Sequence, residues 1–262
     1  MSPLVSVLTT AYNREKYIAE AIESVLASTY TNFELIIVDD FSTDNTVNIA
    51  RSYEAKDKRV KVYVNEKNLG DYPNRNRAAS YAKGKYIKFL DSDDIIYPHG
   101  LEVMVRSMEQ FPEGGFGLSA SGYTSSPMPV LLTCKQAYLE HFNSKKHFDR
   151  APGSSIILRD AFQKVGGFSG KRMIGDFEFW LKIGRTFPLV VFQRDLVWDR
   201  SHSEQERESE YAKKYEKLRN DILKVAFSDQ DCPLTGSEKK AILLKERKKN
   251  LKTRLIRLFR NH

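Results

Sequence analysis

Two apolar runs in this sequence end in carboxylates. Leu35-Ile36-Ile37-Val38 is followed by Asp39 and Asp40, and Tyr86-Ile87-Lys88-Phe89-Leu90 by Asp91, Ser92, Asp93 and Asp94. Burying a charged carboxylate is costly unless it is paired, so strand ends carrying several acids point to a site rather than a core. Acids gathered on one rim repel one another unless a cation lies between them. A hard divalent ion, Mg²⁺ or Mn²⁺, is the natural partner of such oxygen ligands and brings phosphates with it. In an extended Asp91-Ser92-Asp93 segment the two acids point the same way. Asp, Asn and Ser also gather in turns, where their side chains bond the local backbone. The repetition at two strand ends of one series favours a site over turn chemistry alone.

The elements that must hold these acids alternate in type. Leu4–Thr10 is a β-rich run, and the segment after it repeats Ile18, Ala21, Ile22, Val25 and Leu26 at helical spacing. Asn13 is placed to cap that helix. The strand 33–40, a polar turn, a helix over Val47–Ala55 and a short strand from Val60 follow. A Gly/Pro/Asn loop at 68–74 leads into a helix closed by Gly84, and then into the strand that ends at Asp91. Strands separated by helices imply βαβ crossovers, an α/β fold and a mostly parallel sheet, whose ligands bind outside the carboxyl ends of the strands. After Asp94 come a helix over 98–112, a Gly/Ser/Pro-rich stretch over 114–129, a strand and short helix over 151–170, and a helix from Gly175 to Phe187. That last helix carries Asp176 in its first turn, where a carboxylate is also favoured by the helix dipole.

At 262 residues, 41% hydrophobic and 29% charged, the chain is long enough for one large domain or two tightly joined halves. The division expected is a first half over 1–100 that carries the acid-tipped strands, a second half over 101–227 and a tail over 228–262. The formal net charge of +8 suits an anionic partner, and much of the excess lies after Ser237. There Leu244, Leu251, Leu255 and Leu258 share one helical face among lysines and arginines, the pattern of a basic amphipathic helix that docks on a membrane surface or packs on its own body. No nucleic-acid recognition motif accompanies the charge. Cys134 and Cys232 lack metal-ligand spacing and read as free thiols of a reducing compartment. With no signal-peptide pattern and no run of eighteen apolar residues, the expectation is a cytoplasmic protein, peripheral at the inner face of the cell membrane if the tail docks there.

The stretches "SVLTTAYNREKYIAEAIESVLASTYTNFELIIVDDFSTDNT", "NLGDYPNRNRAASYAKGKYI", "FLDSDD", "VGGFSG" and "GDFEFWLKI" resemble, in order and spacing, the GT-A-fold glycosyltransferases of family 2. The resemblance covers residues 3–205 and is closest to the spore-coat polysaccharide branch. It implies a metal-dependent, inverting enzyme that moves a sugar from a nucleoside-diphosphate sugar to a hydroxyl of a glycan or lipid-linked acceptor. Thr10, Tyr12 and Asn13 would line the nucleotide, with the Tyr12 ring stacked on the base. Asp40 would accept the ring N–H of uracil or thymine, and Arg75 and Asn76 would lie near the nucleotide. Asp93 would hold the Mn²⁺ or Mg²⁺ that bridges the diphosphate, with Asp91 supporting the ribose or the metal shell. His202, in an Arg-x-His with Arg200, would reach the diphosphate or the metal. Asp176 would be the general base that takes the acceptor proton. The family usually places Glu before this Asp, and Gly175 stands there instead, which puts the usual acceptor contacts of that Glu in doubt.

Other readings are a sugar nucleotidyltransferase, a dinucleotide-dependent oxidoreductase and a non-catalytic sugar-nucleotide binding protein. The first two need glycine-rich phosphate loops after the first strand, and "TTAYNREKY" has no glycine. The third would keep Asp40 and Asp93 without transfer.

Overall fold

The computed structural model describes residues 2–122, 126–202 and 215–260, the side chains of 249–260 excepted. The chain runs β1 (Val5–Ala11), α1 (Ile18–Leu26), β2 (Phe33–Asp39), α2 (Thr46–Glu54), β3 (Val60–Val64), α3 (Asp71–Tyr81), β4 (Tyr86–Phe89), β5 (Ile95–Ile96) and α4 (Gly100–Glu109). It continues with β6 (Phe116–Ser119), β7 (Val130–Leu132), α5 (Cys134–Glu140), β8 (Ser155–Leu158), α6 (Arg159–Lys164), α7 (Gly175–Thr186), β9 (Leu189–Phe192), β10 (Val197–Trp198), α8 (Tyr215–Ser228) and α9 (Gly236–Arg260).

Eight strands form one sheet in the order β3-β2-β1-β4-β8-β6-β9-β7. The first four are parallel, as the alternating strand and helix signals require, and β8 joins β4 antiparallel. The sheet therefore passes without a break from the first hundred residues into the rest. It is buried on both faces, which explains why β2 reads as a continuous aliphatic run. Leu35 and Ile37 pack with Ile18, Ile22 and Ala50 on one side. Ile36 and Val38 pack with Ala78, Phe177 and Trp180 on the other. The parallel register sets Ala11 opposite Asp39 and Leu8 opposite Phe89, so the carboxyl ends of β1, β2 and β4 share one rim.

Three local expectations are corrected. Asn13 does not cap α1, which begins at Ile18 after Tyr17. Asn13 has a φ of 52° and its Oδ1 accepts the Thr43 N–H at 2.9 Å, tying the two rim loops together. Gly84 does not cap α3, which ends at an extended Ala82. A Cβ at Gly84 would lie 2.6 Å from the Ser6 nitrogen and 2.7 Å from the Leu4 oxygen, so the glycine serves the close passage of the chain beside β1. Gly84→Ala is expected to destabilise the fold by about 1–3 kcal/mol, read as a lower urea midpoint with an unchanged slope. Finally, 91–94 is a turn, with the Asp94 N–H on the Asp91 oxygen at 3.1 Å, so Asp91 and Asp93 are not held side by side on an extended strand.

Both cysteines are free. Among the described residues no helix is long and apolar enough to cross a membrane. The last helix starts at a capping box, in which the Thr235 N–H donates to Glu238 Oε2 at 2.7 Å and the Glu238 N–H donates to Thr235 Oγ1 at 3.3 Å. Its first turns pack on the body. Ile242 is buried, and Lys245 donates to the Phe142 and Asn143 oxygens at 2.9 and 2.8 Å. Leu244 faces outward, 56% exposed. The other members of the expected leucine stripe, Leu251, Leu255 and Leu258, lie outside the described side chains.

Candidate active site

A cavity of about 810 Å³ opens at the shared rim of β1, β2 and β4. Its walls include Thr10, Tyr12, Asp40, Arg75, Asp91, Asp93, Asp94 and Asp176, which the sequence singles out, together with Arg14, Asp71, Tyr72, Arg172 and Asp199. Asn13, Asn76 and His202 are not among the lining residues. Asn76 is engaged elsewhere, its amide donating to and accepting from the Phe168 backbone at 2.8 and 3.0 Å. It fastens the Gly-Gly-Phe turn to α3, which corrects its expected place beside the nucleotide.

Asp40 lies at the floor of the cavity, 3% exposed. Its Oδ1 accepts from Asn65 Nδ2 and the Leu69 N–H, and its Oδ2 accepts from the Gly70 N–H, each at 2.8 Å. Asp40 thus anchors the loop at the N-terminus of α3, where a carboxylate is favoured. A carboxylate offers about four acceptor positions, so one remains on Oδ2. Its neighbour Asp39 is taken up by Ser42, whose N–H donates at 2.8 Å, and belongs to the loop rather than the site.

From the first turns of α3, Arg75 reaches back under the cavity. It bonds Asp71 at 2.7 Å and Asp91 at 2.8 Å, while its Nη1 is buried and makes no hydrogen bond. Burial opposes the guanidinium charge, but Asp71 and Asp91 outweigh it and hold the group protonated. A buried donor left unpaired costs stability unless something absent from the chain accepts from it.

Asp93 faces a different set. Its Oδ2 lies 2.9 Å from His202 Nε2 and 3.4 Å from Arg14 Nε, with the Asp93 and His202 side chains each about one-tenth exposed. The strap that carries His202 is pinned to the acid turn. β10 pairs with β5, the Arg200 N–H donates to Asp94 Oδ1 at 3.0 Å, and Arg200 Nε donates to the Asp93 carbonyl at 2.9 Å. Behind the turn, Lys88 is fully buried and donates to the Phe89 and Gly153 carbonyls. Burial pulls its pKa down to about 8 against the pull of Asp91, Asp94 and Asp199. Burial, with Asp91 beside it, pushes Asp94 up to about 8.

The expected metal ligands therefore divide. Asp93 and His202 stand together, and Asp91 turns to Arg75. Among the described residues no cluster of three acidic, His or Cys side chains suits a metal by itself. A carboxylate and an imidazole at a cavity fit a divalent ion that completes its shell with phosphate oxygens and water. The wall carries seven aspartates and three arginines, and burial keeps one of those aspartates, Asp94, protonated near neutral pH.

Asp176, which also lines the cavity, sits in the first turn of α7 and accepts the Phe177 N–H on Oδ1 at 2.7 Å. Burial raises its pKa to about 6, and Asp71 adds to the rise. The Phe177 N–H, Arg75 and Tyr72 pull the other way. A carboxylate so poised can take a proton near neutral pH. Of the lining residues, sequence reasoning singled out Asp94 among the strand-end acids and missed Arg14, Asp71, Tyr72, Arg172 and Asp199. Arg14 and Asp199 adjoin the singled-out Asn13 and Arg200, and Asp71 and Tyr72 fall inside a stretch that carries the family resemblance.

The glycosyl transferase family 2 model matches residues 6–166. An uncharacterized glycosyltransferase of Methanocaldococcus jannaschii is 45% identical over 202 residues, 74% of this chain and 70% of that protein. The chain spans less than half the length of several other curated relatives it matches. Among solved structures, S. aureus TarS 1-349 in complex with UDP-GlcNAc shares the fold at a TM-score of 0.73 and 22% identity, over 92% of this chain and 71% of that one. The mannosyltransferase PcManGT from Pyrobaculum calidifontis, in complex with GDP-Man and Mn²⁺, does so at 0.69 and 16%, over 94% and 69%. The α/β architecture is thus that of GT-A glycosyltransferases, and the chain belongs to glycosyl transferase family 2.

Proposed function

We propose that this glycosyltransferase moves a sugar from a UDP- or dTDP-linked donor to a hydroxyl of a glycan or lipid-linked acceptor, with inversion and with a divalent metal. The observation that carries the reading is that one cavity is lined both by Asp93, which bonds His202 behind it, and by Asp176. TarS binding UDP-GlcNAc and PcManGT binding GDP-Man with Mn²⁺ support a nucleotide-sugar donor and a metal.

On the donor side, Tyr12 is 46% exposed at the rim, where its ring is free to stack on a base. Asp40 below it keeps one acceptor position, enough for one ring N–H of uracil or thymine. Arg75 Nη1 is the unpaired donor that a phosphate oxygen would satisfy. Asp93 and His202 would hold Mn²⁺ or Mg²⁺, which when bound neutralises charge developing on the departing diphosphate. On the acceptor side, Asp176 takes the proton of the attacking hydroxyl as oxygen bonds to the anomeric carbon and the bond to the diphosphate breaks. One displacement at that carbon inverts its configuration.

We keep contact with an anionic membrane surface in this reading, supported by the exposed Leu244 and the basic sequence after it. The test of the donor assignment is nucleotide release from UDP-, dTDP- and GDP-sugars with Mn²⁺. Release of UDP or dTDP is expected. Release of GDP alone would replace the uracil or thymine assignment at Asp40.

A further inference from the structure

Arg14, Tyr17 and Glu20 recur three residues apart at the entry to α1, and each meets the acid turn or the strap behind it. The Tyr17 and Ile18 N–H groups both donate to the Arg14 oxygen, at 3.0 and 2.9 Å, so the chain is already turning at Arg14 and the three side chains fall on one side. Arg14 Nε lies 3.4 Å from Asp93 Oδ2. The Tyr17 ring lies against the His202 imidazole, with centroids 4.9 Å apart and planes inclined by 32°. Glu20 pairs with Arg200. Arg200 in turn lies over the Tyr17 and Trp198 rings, 5.1 and 4.9 Å from their centroids, while its Nε holds the Asp93 carbonyl. One stripe thus receives Asp93, His202 and the arginine that ties their two segments together.

The three contacts are unequal. The Glu20 side chain is 55% exposed, so its ion pair is screened by water and adds little. The bond from the Arg200 N–H to Asp94 belongs to the backbone and fixes the strap as far as Arg200. His202 lies two residues further on, past the β10–β5 pairing that ends at Trp198. There the Tyr17 ring supplies an aromatic wall for the imidazole whose Nε2 meets Asp93 Oδ2 at 2.9 Å. Tyr17 is not among the residues that line the cavity, so its route to a ligand runs through His202. We propose that Tyr17 is a positioning residue of His202: its ring seats the imidazole against Asp93. The inference rests on the reading of Asp93 and His202 as holders of the metal. It uses the ring of Tyr17 and not the phenolic oxygen.

The test is calorimetric titration with UDP and with GDP, each with and without Mn²⁺. The proteins are wild type, Tyr17→Phe, Tyr17→Leu, His202→Ala and the variant combining Tyr17→Leu with His202→Ala. Phenylalanine keeps the ring and should bind as wild type does. Tyr17→Leu should weaken diphosphate binding in Mn²⁺ by about 3–10-fold, the worth of one aromatic contact, and leave metal-free binding unchanged. With His202 already removed, Tyr17→Leu should have no further effect. A loss of the same size in both backgrounds, or one seen equally without Mn²⁺, would make Tyr17 a general support of the fold and overturn the positioning role. If His202→Ala itself binds as wild type does in Mn²⁺, it is the metal reading that falls, and a second measurement still decides whether Tyr17 seats His202. The His202 side chain is about one-tenth exposed. In metal-free protein, diethyl pyrocarbonate should acylate it several-fold faster in Tyr17→Leu than in wild type or Tyr17→Phe, counted on the peptide that carries it. An unchanged rate in Tyr17→Leu would overturn the proposal.

Discussion

Asp176→Asn is expected to lower kcat by about 10²–10⁴-fold, the usual contribution of a positioned general base. Fold and donor binding should be little affected. Asparagine keeps the oxygen that accepts the Phe177 N–H, so the first turn of α7 retains its bond. The amide cannot take a proton from the acceptor hydroxyl, so the loss should fall on kcat and not on donor KM. The wild-type pH profile carries a second expectation. Because burial raises the Asp176 pKa to about 6, the base is ionised only above that value. On the acid side kcat/KM should therefore climb about tenfold per pH unit and level off above about pH 6, and the variant should lose this limb. A variant with unchanged kcat would remove Asp176 from the chemistry and leave it a carboxylate at a helix start.

The second large effect concerns Asp93, where two accounts of the acid turn predict opposite signs. With no metal, Asp93 is a negative charge facing a negative diphosphate, and Arg14 is partly neutralised by it at 3.4 Å. Removing the carboxylate would then free Arg14 and tighten diphosphate binding. With Asp93 and His202 holding a divalent ion, removing the carboxylate loses the ion and loosens binding. The proposed function requires the second result. Asp93→Ala should weaken binding of a nucleoside diphosphate in Mn²⁺ by at least about a hundredfold, or ~3 kcal/mol, and leave metal-free binding equal or slightly tighter. The measurement is calorimetric titration of wild type and variant with and without the metal. Tighter binding in Asp93→Ala under both conditions would contradict a metal at this turn.

Much of the site is legible in the sequence because strand ends are. A run such as Leu35 to Val38 reads as a strand buried on both faces, and the parallel order then brings Tyr12, Asp40 and Asp91 to one rim. The family resemblance alone, without any geometry, points to Asp93, His202 and Asp176, whose roles are part of the proposed function. Contacts between elements distant in the chain are not written in local pattern. Asn76 looks like a nucleotide residue from its neighbour Arg75, yet one helical position turns its amide to Phe168. Gly84 looks like a helix cap, yet it is needed where the chain passes Ser6 and Leu4. Asp91 and Asp93 look like a pair of ligands, yet a turn sends one to Arg75 and the other to His202. Gly175 is visible as a departure, but only the fold shows that the ring of Tyr72, from a helix a hundred residues earlier, lies against it.

The central claim is that the cavity binds a nucleoside diphosphate through a metal on Asp93. Calorimetric titration of the wild-type protein with UDP, TDP and GDP, each with and without Mn²⁺, tests it most directly. The account predicts that UDP or TDP binds and that binding depends on Mn²⁺. Folded protein that binds no diphosphate in the presence of Mn²⁺, or binds equally well without it, would contradict the claim.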